Sequence, residues 1–71
     1  MSIEDEINKI SDLFFQENEG QVWRYVTDSI EKPLLEKLMK YTGGNQLQAA
    51  RILGINRNTL RSKLRKHGLL R

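Results

Sequence analysis

Arg57, Arg61 and Arg65 recur at intervals of four between Asn56 and Lys66, with Asn58, Thr59, Ser62 and Lys63 set among them. On a helix this spacing stacks three guanidinium groups in one row. Like charges so placed destabilise an isolated helix by about 0.2–0.5 kcal/mol per pair, so stability alone does not account for them. A guanidinium keeps its proton at neutral pH and donates in a planar fork that grips a phosphate or a base edge at two points. The chemistry to expect is recognition of a polyanion. Ser62 and His67 are the nearest approach to a nucleophile and base, and the sequence offers no acid to orient the imidazole, so catalysis is not expected. Glu4, Asp5 and Glu6 sit in the first turn of a predicted helix, where the dipole favours negative charge, and this reading is preferred to a metal site. With no Cys and one His, neither a disulfide nor a metal cluster is expected, and no cofactor or small-molecule ligand is predicted.

Four helices are predicted to position these groups, giving an all-α fold. The first spans about Ile3 to Gln16, with Ser2 and Asp5 as a capping box and Ile3, Ile7, Ile10 and Phe14 as its apolar stripe. Asn18-Glu-Gly20 breaks the chain, and a longer helix runs from about Gln21 to Tyr41. Val22, Val26, Ile30, Leu34 and Leu38 follow one another at i+4 along it and are the expected dimer interface. Pro33 lies inside this helix and should kink or split it near Asp28–Lys32, with a kink preferred because the stripe continues. Gly43-Gly44 ends it, and Asn45 caps a third helix, Gln46 to Leu53, with Gln48 as partner. Gly54 stops that helix. The fourth opens at Asn56, stapled by Ile55 and Leu60, and ends at Gly68, where Leu69 folds back on Leu64. Phe14, Phe15, Trp23, Tyr25 and Tyr41 are expected in the core or the dimer interface rather than as stacking platforms.

Charge divides the chain in the same place. Tyr41 to Arg71 holds seven Lys or Arg and no acid, whereas the first forty residues hold five basic and nine acidic residues. Residues 1–42 therefore read as a helical dimerisation region and 43–71 as a helix-turn-helix, together one compact domain of 71 residues. A core of that size supplies only about 3–5 kcal/mol, and without disulfides or metal the expected reinforcement is a second copy of the chain. No segment approaches the roughly 18 apolar residues of a membrane span, and the acidic N-terminus is the reverse of a secretory signal, so a cytoplasmic location is expected.

Within the basic part, Ala50, Gly54 and Leu60 occupy the small, turn and anchor positions of a helix-turn-helix. A single helix fits the major groove and presents its N-terminal residues to the base edges. Asn56, Arg57, Asn58 and Thr59 are those residues, with Arg61 following, and Arg57 suits a guanine. Asn45, Gln46, Lys63, Arg65 and Lys66 suit phosphates. A helical protein-interaction module is the alternative outside nucleic acid, and duplex RNA is disfavoured because its major groove excludes such a helix.

Glu31-Lys-Pro-Leu-Leu35, Tyr41-Thr-Gly-Gly-Asn-Gln46, Ala49-Ala50, Gly54-Ile-Asn-Arg57 and Thr59-Leu-Arg61, continuing through Lys63-Leu64 to Gly68, resemble the Fis family of bacterial DNA-binding domains. The run from Gly44 to Leu60 is most similar to the C-terminal domain of NtrC-type, sigma-54-dependent transcriptional activators, with stand-alone Fis a close second. The resemblance implies a nucleoid-associated homodimer whose first two helices form a four-helix bundle. It implies two helix-turn-helix units on a pseudo-palindromic, bent site, with contacts from Asn45, Asn56, Arg57, Thr59, Arg61 and Lys63. Leu47 and Ser62 depart from it, standing where Fis has polar or basic contacts. The N-terminal arm of Fis is missing and so is an ATPase phosphate loop, which together suggest the DNA-binding piece of a larger activator.

Overall fold

A computed structural model describes residues 2–70; Met1 and Arg71 lie outside the described residues. Five helices follow one another: α1 (Ile3–Asn8), α2 (Asp12–Glu17), α3 (Val22–Tyr41), α4 (Gln46–Leu53) and α5 (Arg57–Lys66). The architecture is all-α, with one helix more than expected. The predicted first helix divides because Ser11 acts as a second N-cap. Its Oγ accepts from Phe14 N at 3.2 Å, offering the backbone a local alternative to continued helix. Ser2 and Asp5 do form the reciprocal capping box, at 3.1 and 3.3 Å.

The two junctions that shape the C-terminal half are built by glycines. After α3, Gly43 and Gly44 take φ of +63° and +86°, and Gly44 N donates to Met39 O at 2.9 Å while Gly43 N donates to Lys40 O. This closes the helix with the paired bonds of a Schellman motif. Between α4 and α5, Gly54 adopts φ +76° and Ile55 N donates back to Ala50 O at 3.1 Å. An L side chain resists that φ, so the sharp reversal between the two helices depends on glycine. Asn45 caps α4 by accepting from Gln48 N at 3.0 Å. α3 itself runs unbroken through Pro33, so of the two consequences expected of an interior proline the split does not occur.

Every fully buried side chain among the described residues lies between Leu35 and Leu64: Leu35, Leu38, Ala49, Ala50, Leu60 and Leu64. Met39, Leu53, Ile55, Leu69 and Leu70 close over them. The two alanines let α4 approach, and Leu60 and Leu64 fill the wedge from α5. This core crosses residue 42, taking Leu35 and Leu38 from the helix that carries the expected dimer face. Leu38, expected at the interface, is only 9% exposed and belongs to the chain's own core. A stripe at i+4 rotates by roughly 40° per step around a helix of 3.6 residues per turn. Over four steps it passes from one side of α3 to nearly the other. The outward face narrows to Val22, Val26, Ile30 and Leu34.

The N-terminal half contrasts with this. Neither α1 nor α2 buries a residue completely. Phe14 and Phe15 meet edge to face at 6.3 Å, but Phe15 is half exposed rather than in the core. Trp23 is 82% and Tyr41 75% exposed. The radius of gyration is 14.3 Å, against about 11 Å for a compact chain of this length.

Candidate nucleic-acid interface

The core decides which way α5 faces. Because Leu60 and Leu64 point inward, Arg57, Arg61 and Arg65 emerge on the outer surface, together with exposed Asn58, Thr59 and Ser62. None of the three arginines has an ion pair among the described residues. At the start of the helix Asn56 Oδ1 accepts from Asn58 N at 2.7 Å. The Asn56 carbonyl oxygen is therefore spent as a cap, and only its amide NH2 remains to meet a ligand.

Gly44, Asn45, Gln46 and Leu47 at the start of α4 face Arg57 and Arg61 across an open cleft of about 340 Å³. Two cationic forks converge there on a helix N-terminus, whose unpaired N–H groups and partial positive charge favour an oxyanion. Gln46 Oε1 is buried without a partner among the described residues. Leu47 adds methyl surface at the rim but no donor. The cleft gathers Asn45, Gln46, Arg57 and Arg61, four of the residues expected to touch nucleic acid.

Lys63 and Lys66 lie elsewhere. Both turn toward α3, where Lys63 Nζ meets Glu31 Oε2 at 2.7 Å and Lys66 Nζ meets Asp28 Oδ1 at 2.7 Å. The Lys66 contact is a charge contact without hydrogen-bond alignment, since Asp28 Oδ1 has no aligned donor. His67, whose side chain is 7% exposed, lies 2.9 Å through Nε2 from Glu31 Oε1. The imidazole of His67 first, and the Lys63 ammonium second, hold the Glu31 carboxyl below its ordinary range. An ionised carboxylate only accepts, so Nε2 carries the proton and donates.

The acid that the sequence did not offer His67 therefore comes from α3, 36 residues away. It does not make a catalytic set, because Ser62 is exposed and has no hydrogen bond to His67 among the described residues. Asp28, Glu31 and His67 bring ligand atoms within 4.8 Å of one another. Both carboxylates are already neutralised by ammonium groups, which makes the cluster a mixed-charge clasp between α3 and α5. Asp28 and Glu31 are the residues that sequence reasoning missed. Their i,i+3 spacing places them on one face of α3, but nothing local names what that face meets.

Residues 28–67 match the family of bacterial regulatory proteins of the Fis type, more than half of the chain. The chain belongs to the Fis family. It is also 56% identical over 54 residues to a Fis-like DNA-binding protein of Ralstonia nicotianae (strain ATCC BAA-1114 / GMI1000), a match covering 76% of this chain and 70% of the relative. The matched family segment begins at Asp28 and ends at His67, so it encloses the clasp as well as the helix-turn-helix. Family membership accords with a non-enzymatic regulatory domain. Among the described residues, no helix is long and apolar enough to cross a membrane.

Proposed function

We propose that this Fis-family chain binds duplex DNA as a homodimer, laying α5 of each copy in the major groove. The observation that carries the reading is the unpaired arginine row of α5 set against the N-terminus of α4. Arg57, Asn58 and Thr59 read base edges, with Arg61 beside them, and the amide of Asn56 is available for a single contact. Asn45, Gln46 and Arg65 hold phosphates. The Ralstonia relative, named as a DNA-binding protein, supports the same partner.

A second copy is the partner for the N-terminal half. Ile3, Ile7 and Ile10 of α1 and its following turn border a groove of about 350 Å³ with Val26 and Ile30 of α3, and half-exposed Leu34 follows Ile30 at i+4. These side chains cost free energy in water and gain it when a second chain covers them. Residues 1–42 thus serve as the dimerisation region and 43–71 as the reader, on a pseudo-palindromic site in the bacterial nucleoid.

Two settings fit such a dimer. The Ralstonia relative is itself short, since the 54 matched residues make up 70% of it, which favours a stand-alone Fis-like protein that shapes DNA. The run from Gly44 to Leu60 favours the enhancer-binding domain of a sigma-54-dependent activator. Titration with mixed-sequence duplex at several salt concentrations tests the common core of both. Affinity should fall with salt at a slope of about −0.9 per phosphate neutralised, and weak, salt-independent binding would defeat the proposal.

A further inference from the structure

We propose that Asp28 and Glu31 act as internal phosphate mimics, holding Lys63 and Lys66 against α3 and so limiting sequence-independent affinity for DNA. The inference rests on the DNA-binding reading above. It concerns the division of labour among the cations of α5, which is not visible in their spacing. The three arginines are unpaired among the described residues, whereas both lysines end 2.7 Å from a carboxylate oxygen. An ammonium so paired contributes little net charge toward a phosphate. Both pairs keep access to solvent, so a phosphate can compete for the lysines.

The competition is unequal at the two sites. Lys63 donates an aligned hydrogen bond to Glu31 in the less exposed pair, whereas the Lys66–Asp28 contact is unaligned and more open to solvent. Lys63 is therefore held more firmly, and Lys66 is the lysine that DNA recruits first. Because non-specific binding scales with the phosphates neutralised, withholding these lysines lowers affinity for every sequence alike. Discrimination is then left to the arginines at the base edges. The clasp therefore lowers the sequence-independent part of the affinity and leaves the ratio of specific to non-specific binding to those arginines.

The test is the Asp28→Asn, Glu31→Gln double variant of the full chain, titrated with mixed-sequence duplex over a salt series. Glu36→Gln serves as control, because Glu36 is an exposed acid on the same helix without an ion pair among the described residues. The double variant should bind roughly tenfold more tightly at low salt, with a slope steeper by up to about 0.9 for each lysine released. Adding Lys63→Gln and Lys66→Gln should abolish the gain. Asp28→Asn alone, which leaves Glu31 with both partners, should give about half the change in slope and serves if the double variant unfolds. A gain no larger than that of Glu36→Gln, or one that survives removal of the lysines, overturns the proposal. If the unaltered chain does not bind duplex at all, it is the DNA-binding reading that falls.

Discussion

Residues 3–34 and 35–70 carry apolar side chains at similar density, yet only the second stretch closes a core within one chain. In the C-terminal stretch three helix segments meet at angles fixed by glycine turns, so Leu35, Leu38, Leu60 and Leu64 converge on two alanines. In the N-terminal stretch, two helices of six residues precede the long one without burying a residue completely, and Ile3 and Ile7 remain in reach of solvent. Convergence, rather than hydrophobic content, separates a finished core from half of one. The C-terminal stretch can orient recognition groups by itself. The N-terminal stretch leaves its apolar face uncovered within the single chain.

The contrast can be broken most directly at Leu34. Leu34→Asp should place an uncompensated charge in the proposed dimer contact, at a cost of about 3–5 kcal/mol, and yield a monomer with α4 and α5 still folded. Sedimentation showing an intact dimer would remove the distinction between the two stretches. Leu64→Ala should act in the opposite manner, removing about 2–5 kcal/mol from the core of the C-terminal stretch, measured by urea unfolding. That loss is comparable with the whole stability of so small a domain. Arg57→Ala should cost about 1–3 kcal/mol at a preferred site and less on random duplex, whereas Arg24→Ala on α3 should change neither. Equal losses for Arg57→Ala on both DNAs would mean that base readout lies elsewhere.

The smallest effect lies at the seam between the stretches. Glu31→Gln should cost about 1 kcal/mol at neutral pH, since its pairs are only partly buried. The folded chain lowers the Glu31 pKa from its ordinary 4.5, so its contribution is fully present above that value. It is lost as pH falls through the folded value. The stability gap between native and Glu31→Gln chains should therefore shrink below about pH 4.5. A gap constant from neutral pH down to strongly acidic conditions would show that Glu31 is not engaged in the clasp.

Helix ends were legible because they are decided within four or five residues. Asn45, Asn56, Gly54 and Gly68 each mark a boundary by their own side chain or their own φ, and α4 begins and ends where the sequence predicts. Ser11 carried the same kind of signal, a hydroxyl followed by an acid, and was outweighed by an isoleucine stripe that reads as continuous across it. The outward arginine row was legible too, because Leu60 and Leu64 set its opposite face. The partners of the lysines were not. Asp28 and Glu31 are far from Lys63, Lys66 and His67 in the chain, and local propensity is silent about which helix faces meet.

The sequence by itself determined an all-helical chain, a helix-turn-helix with its turn at Gly54, and a fan of arginines on the last helix. Each follows from capping, periodicity and glycine backbone freedom, which act over short stretches of chain. Only the tertiary structure decided that Leu38 belongs to the inner core. It also decided that Trp23 stands in solvent in a single chain, and that the lysines of α5 are clasped by α3 while its arginines are not. The reason is geometric. The crossing of α3 over α4 and α5 sets which face of each helix is covered, and that crossing is the sum of contacts between residues some thirty positions apart.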